Sequence, residues 1–156
     1  MASLDEVFSL VASTFKISSL NTHQKTAISA VTEKKRDVFV NLPTGYGKSL
    51  IYQALPTTFD ALRSTSGHTV VVVSPLISLM DDQVKFLTSV GISALNLTSA
   101  SEDERVSVEN GKYSLVYGSP EAWLKNDRWR AMLHNDVYSR KLCAIAVDEA
   151  HVLRQW

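Results

Sequence analysis

The chain has 156 residues, no net charge, 45% hydrophobic and 21% charged residues, enough for about one domain with a real core. That balance excludes a disordered tail, and it excludes a bulk positive field for gathering nucleic acid, so any such binding must be local. A single cysteine, Cys143, excludes an internal disulfide, and no stretch approaches the roughly 18 apolar residues of a membrane span. The N-terminus lacks a charged segment followed by a long apolar run, so no secretory signal is expected and the protein is taken as intracellular.

Ser3 with Glu6 forms a capping-box pattern, and Leu4, Val7, Phe8 and Val11 recur at helical spacing. A second helix is predicted from Asn21 or Thr22, with Ala27, Ile28 and Val31 on one face and a frayed end at Glu33-Lys34-Lys35-Arg36. That basic cluster reads as a solvated helix end. Val38-Phe39-Val40 is β-rich and runs into a glycine-containing loop, after which a helix should start at Lys48 and stop before Pro56. Thr69-Val70-Val71-Val72-Val73 is the clearest strand, suited to a sheet covered on both faces.

Leu76, Leu79, Met80, Phe86 and Leu87 then follow a helical pattern that Gly91 ends. Residues 92–97 read as a strand, and Ser101 with Glu104 caps a short helix. Residues 114–117 and 142–147 are the last predicted strands. Cys143 sits in the second of these, where a packed thiol is the natural reading. Trp123 and Trp129, near Leu124, Met132 and Leu133 at helical spacing, read as packing residues rather than stacking platforms. There is no internal repeat, low-complexity tract or linker.

Strands alternating with helices predict an α/β fold with a mostly parallel sheet flanked by helices. Ligands in such sheets sit beyond the carboxyl ends of the strands. Three polar clusters follow predicted strands directly: residues 44–49, Ser74-Pro75 and Asp148-Glu149. They should therefore line one edge.

The first cluster lies in "LPTGYGKS", residues 42–49. A Gly-Lys-Ser/Thr triplet alone arises by chance in roughly one chain in fifteen of this length, so context decides. Here the triplet follows an apolar strand and opens a helix, as a phosphate loop requires. Gly45 and Gly47 permit the tight path that turns successive N–H groups toward an anion, with Thr44 and Tyr46 in the same loop. Lys48 would reach the outer phosphates, and the Ser49 hydroxyl would hold Mg2+. Leu42 stands where the general pattern has its first glycine, which marks a variant entry to the loop. "DEAH", residues 148–151, ends a buried strand; Asp148 would support the magnesium and Glu149 would polarise an attacking water.

With both motifs present the chain resembles the superfamily-two helicases, and three further stretches are similar to the RecQ family. These are "VVVSPLISLMDDQV" (residues 71–84), "YGSPEAWL" (residues 117–124) and "DEAHVLRQW" (residues 148–156). The resemblance implies a RecA-like P-loop lobe over residues 37–156, incomplete at its C-terminus, preceded by helices with an adenine-recognition motif over residues 1–36. The incomplete sheet is expected to keep an exposed apolar edge. The resemblance also implies an ATP-dependent motor with Mg2+ that moves 3′ to 5′ on single-stranded or forked DNA, in nuclear repair or recombination. Carried over by position, Gln24 would read the adenine edge, although Leu20 and Asn21 replace the aromatic and arginine expected before it. The competing reading of Gln24 is an exposed polar residue on a helix.

The same resemblance makes His151 the link between nucleotide and DNA. Ser74, Pro75, Ser78 and Ser119, with nearby backbone N–H groups, would meet DNA phosphates without reading bases. It also places a second lobe with an arginine finger after residue 156, so this chain alone is expected to bind ATP weakly, hydrolyse it barely and unwind nothing. The rival readings are an RNA helicase lobe, a non-catalytic nucleotide- or DNA-binding fragment, and a P-loop kinase. The kinase would need a lid and arginines that residues 50–56 do not offer.

Overall fold

The computed structural model describes residues 2–33 and 47–148, divided between two compact units, Met1–Ser66 and Gly67–Trp156. The predicted strand at residues 38–40 and the basic cluster at residues 34–36 lie outside the described residues.

The first unit is helical. α1 (Leu4–Thr14) is capped by Ser3, whose hydroxyl oxygen accepts from the Glu6 N–H at 3.2 Å and whose O–H donates to the Glu6 carboxylate at 3.1 Å. Val7, Phe8 and Val11 are its buried face, as their spacing predicts. α2 (Thr22–Thr32) starts from a complete capping box between Asn21 and Gln24. The helix predicted to stop before Pro56 does so as α3 (Lys48–Gln53), but a further helix, α4 (Leu55–Arg63), begins at once. Pro56 lies in its first turn, where the missing N–H has no intrahelical partner to lose. The proline thus opens a helix as well as closing one.

The second unit is built on a four-stranded sheet, β1 (Thr69–Val73), β2 (Ala94–Asn96), β3 (Leu115–Gly118) and β4 (Leu142–Val147). Its order is β2-β3-β1-β4, and every pairing is parallel. β2 is shorter than the predicted strand at both ends, starting two residues later and stopping one residue earlier, at Asn96. The Asn96 side-chain oxygen accepts from the Thr98 N–H at 3.0 Å and starts a 3₁₀ turn, Leu97–Ser99.

Helices cover both faces of this sheet. One row of the first face, Leu95, Val116 and Val71 across β2, β3 and β1, packs with Val108, Trp123, Trp129, Met132 and Tyr138. Those partners come from α6 (Glu102–Glu109), α7 (Pro120–Lys125), α8 (Asp127–Leu133) and α9 (Asp136–Lys141). Side chains alternate along a strand, so Asn96 and Tyr117 point to the other face. There they meet α5 (Ile77–Ser89): Tyr117 Oη donates to Gln83 at 2.7 Å and Asn96 Nδ2 donates to Asp81 at 2.9 Å.

Surface charge ties the first face together, with the Arg128 guanidinium donating to Glu102 at 3.1 Å and also to Glu109. The hydrogen bond from Arg128 holds the Glu102 carboxyl below its usual range. Cys143 is packed as its apolar run implies, half-buried with its thiol donating to the Thr69 carbonyl at 3.4 Å. Among the described residues β4 is an edge strand, and Ile145 and Val147 on it are 56% and 50% exposed. The predicted strand at residues 38–40 and the residues after 148 lie outside the described residues, so the apolar edge expected from the sequence is not tested by this exposure.

Gly118, the last residue of β3, lies under the Trp123 ring. A methyl group added there would sit 2.6 Å from Trp123 Nε1, inside contact distance of a ring that is itself clamped. Gly118→Ala is therefore expected to destabilise the protein by about 1–3 kcal/mol through overpacking. Urea unfolding would show a lowered midpoint; an unchanged midpoint would mean that the ring can move aside.

Candidate functional site

Gly47 occupies the left-handed region at φ +73° and precedes α3 as its N-cap, with no side-chain cap. Lys48 and Ser49 open the helix, both half-buried. Backbone N–H groups at such a start have no intrahelical acceptor and are available to an anion. Thr44, Gly45 and Tyr46 lie outside the described residues.

Gln24 is not the exposed polar residue of the competing reading, being only 6% exposed. Its Oε1 accepts from the Asn21 N–H at 2.9 Å, and its Nε2 donates to the Gly47 carbonyl at 3.2 Å. The capping-box half of this arrangement is spelled locally by Asn21 and Gln24 and went unread in the sequence. The Gly47 half joins residues 23 apart, and no local signal announces it.

In the second unit the parallel register sets the strand ends level. Val73 stands opposite both Gly118 and Val147. The residues that follow are Ser74, Ser119 and Asp148, so two of the three clusters predicted to share an edge, represented by Ser74 and Asp148, do so within this unit, and Ser119 joins them. The ladder extends one step into them: the Ser74 N–H donates to the Gly118 carbonyl at 3.0 Å, and the Asp148 N–H donates to the Val73 carbonyl at 2.9 Å. Asp148 is thereby held at the backbone while its side chain stays half-buried. Glu149 and His151 lie outside the described residues.

The three serines differ in what they can offer a phosphate. Ser74 is 2% exposed and its Oγ accepts from the Leu76 N–H at 3.4 Å, so its hydroxyl serves the turn that Pro75 continues. Ser119 is half-buried, and its Oγ caps α7 by accepting from the Ala122 N–H at 3.3 Å. Ser78, on the first turn of α5, is exposed. Trp123 and Trp129 are each 4% exposed and belong to the core, as read from their spacing.

Ser49 and Asp148 are a hydroxyl and a carboxylate, the hard oxygen donors that Mg2+ takes. Among the described residues no three His, Cys, Asp or Glu side chains converge. A magnesium carried by phosphates does not need such a cage, since it keeps waters and phosphate oxygens as ligands. No helix among the described residues is long and apolar enough to cross a membrane.

Residues 21–156 match the family model described as DEAD/DEAH box helicase. Among curated proteins the chain is 39% identical to the ATP-dependent helicase SGS1 of Saccharomyces cerevisiae, over 97% of this chain and 11% of that protein. It is 36% identical to ATP-dependent DNA helicase Q1 of Rattus norvegicus, over 91% of this chain and 23% of that protein. It is 34% identical to ATP-dependent DNA helicase RecQ of Bacillus subtilis, over 95% of this chain and 24% of that protein. The chain thus spans a tenth to a quarter of the length of these relatives. These names agree with the RecQ-type resemblance of the motifs. In fold it is similar to the DUF1998 helicase MrfA solved with DNA and AMPPNP, with a TM-score of 0.74 and 22% identity over 97% of this chain and 22% of that one.

Proposed function

The chain belongs to the DEAD/DEAH box helicase family, and from that premise we propose that it is the ATP-binding motor lobe of a RecQ-type 3′–5′ DNA helicase. Lys48 and the N–H groups at the start of α3 hold the outer phosphates. Ser49 and Asp148 hold the Mg2+ that the nucleotide brings, which supplies charge neutralisation at the phosphates when bound. Glu149 takes the proton of the attacking water, and His151 relays the state of the nucleotide to the DNA side. Thr44, Gly45, Tyr46 and Gly47 line the phosphates, and Gln24 reads the adenine.

What most supports this reading is the level row of strand ends, which puts Asp148 beside Ser74 and Ser119 on the edge where ligands of parallel sheets bind. Single-stranded or forked DNA would lie along that edge. Ser78, Ser119 and backbone N–H groups would contact its phosphates, and the Ser74-Pro75 turn would present them. These contacts position a strand without reading it, which suits a chain with no net charge. The second lobe and its arginine belong to the longer protein, acting in the nucleus on DNA repair or recombination.

The test is ATPase activity of a form that carries both lobes. Stimulation by single-stranded DNA, lost in Glu149→Gln, is expected. Stimulation by RNA alone would give the site to an RNA helicase. Nucleic-acid binding that is indifferent to Lys48→Ala and Glu149→Gln, with negligible turnover, would make the lobe a non-catalytic binding module.

A further inference from the structure

We infer that Asp81 and Asn96 are positioning residues for the DNA-facing edge: their hydrogen bond sets the roll of α5 on the sheet, and so the place of Ser78. The inference rests on the reading of Ser78 as a phosphate contact and adds the pair that holds it there.

α5 needs such a tie because its apolar hold is narrow. Of its 13 residues only Met80 and Leu87 are buried. At about 100° per residue these two fall within about 20° of each other, so they form a single line along the helix. Apolar contact has no direction. It keeps the helix on the sheet but does not by itself fix how the helix is rolled about that line. Hydrogen bonds are directional, and α5 has one on each flank of the line. Asp81 stands about 100° to one side of Met80, and Gln83 about 60° to the other. Asp81 accepts from Asn96 Nδ2 at 2.9 Å, and Gln83 accepts from Tyr117 Oη at 2.7 Å. Asn96 and Tyr117 are register partners on β2 and β3, so the two posts stand side by side on one face.

The Asn96 post is itself held. It is 3% exposed, and its Oδ1 accepts from the Thr98 N–H at 3.0 Å and from the Thr98 hydroxyl at 2.7 Å. With its oxygen taken by donors, the amide presents only N–H groups to α5, and the Asp81 carboxylate is the acceptor they require. The turn after β2 thus fixes the amide, and the amide fixes one flank of the helix.

Ser78 lies about 160° from Met80, almost opposite the buried line, and is exposed. A helix with its side chains is about 10–12 Å across, so a roll of about 20° carries its outer atoms about 2 Å. A hydrogen bond to a phosphate oxygen tolerates much less than that. Losing the tie on one flank is therefore enough to cost the Ser78 contact while the sheet and its strand ends stay in place.

Two substitutions separate the bond from the charge. Asp81→Ala and Asp81→Asn both remove the carboxylate charge, but asparagine keeps an oxygen for Asn96 and alanine keeps none. Asp81 is exposed and alanine favours a helix, so both variants should fold. The measurement is the concentration of single-stranded oligothymidylate that half-saturates ATPase stimulation, in the form that carries both lobes. It is expected to be about tenfold higher in Asp81→Ala than in Asp81→Asn, the lower end of what a hydrogen bond to a charged group is worth. The DNA-free rate and the KM for Mg2+-ATP should be the same in both. In a Ser78→Ala background the difference between the two variants should vanish. Charge alone predicts another pattern, tighter DNA binding in both variants by the same factor.

Equal half-saturation in Asp81→Ala and Asp81→Asn would overturn the inference, as would a difference that persists without the Ser78 hydroxyl. A parallel fall in the DNA-free rate and the melting temperature of Asp81→Ala would make the bond a general brace, and that overturns it too. If Ser78→Ala leaves half-saturation unchanged in a protein that DNA does stimulate, the phosphate reading of Ser78 fails and takes this inference with it, while the motor reading stands. If single-stranded DNA does not stimulate the unsubstituted protein, the DNA reading itself is what fails.

Discussion

Nucleotide affinity is expected to fall at least about 100-fold when Lys48 is replaced by alanine, with little change in stability. An ammonium that donates to two phosphate oxygens makes charge-assisted hydrogen bonds worth roughly 1.5–3 kcal/mol each. Losing both removes about 3 kcal/mol or more, which is two decades in Kd. The helix should not suffer, because Lys48 opens α3 and alanine has the highest helix propensity. Arginine at the same position is not a rescue, since its planar fork differs in shape from a compact ammonium. Calorimetry with Mg2+-ATP, paired with thermal melting, measures both halves. A change in affinity of only a fewfold would return Lys48 to a surface lysine at a helix start, and the glycine loop would lose its function.

Trp123→Ala is expected to produce the largest stability loss of any single truncation in the second unit, about 3–5 kcal/mol. Trp123 is 4% exposed among Val71, Val116, Trp129 and Met132, and its Nε1 donates to the Val72 carbonyl at 3.0 Å. Whole-protein stabilities are about 5–15 kcal/mol, so the loss is a large share of what holds the fold. Each kcal/mol shifts the melting temperature by about 4–8 °C in a domain of 60–100 residues. A fall of more than about 12 °C follows.

Leu124, the next residue, supplies the control. It is 66% exposed, and Leu124→Ala should stay within about 0.5 kcal/mol. The two substitutions read a buried and an exposed position of α7 (Pro120–Lys125), which follows Ser119. If Trp123→Ala melted like Leu124→Ala and weakened binding to single-stranded DNA instead, the ring would be a stacking surface and its place in the core would be wrong.

The helix and strand signals that were legible are those whose cause is local. β1 and β4 begin and end where their apolar, β-branched runs do. The caps Ser3, Asn21 and Ser101 bond to N–H groups three residues on, a distance the sequence displays directly. The same local chemistry acts at two further places. Pro56 stands in the first turn of α4 as well as after α3, since a proline suits either place, and Asn21 forms a capping box with Gln24 beyond the simple helix start expected there.

Burial was less legible. The helical pattern from Leu76 to Leu87 predicts one apolar face, yet only Met80 and Leu87 are buried on α5, and Leu76 and Phe86 are each 44% exposed. Periodicity tells which residues share a helix face but not how much of that face the sheet covers. Ile145 makes the same point on a strand. Its place opposite Val71 in the register did not bury it, because β4 is the edge among the described strands.

By itself the sequence determined the α/β alternation, the helix caps and the Gly-Lys-Ser and DEAH motifs, because each is written in neighbours a few positions apart. Only the tertiary structure decided that Ser74, Ser119 and Asp148 follow their strands on one level and that Ser74 is buried. It alone joined the Gln24 amide to the Gly47 carbonyl. Those facts depend on strand register and on contacts between segments far apart in the chain, where chain closure and packing choose the partner and no local pattern names it.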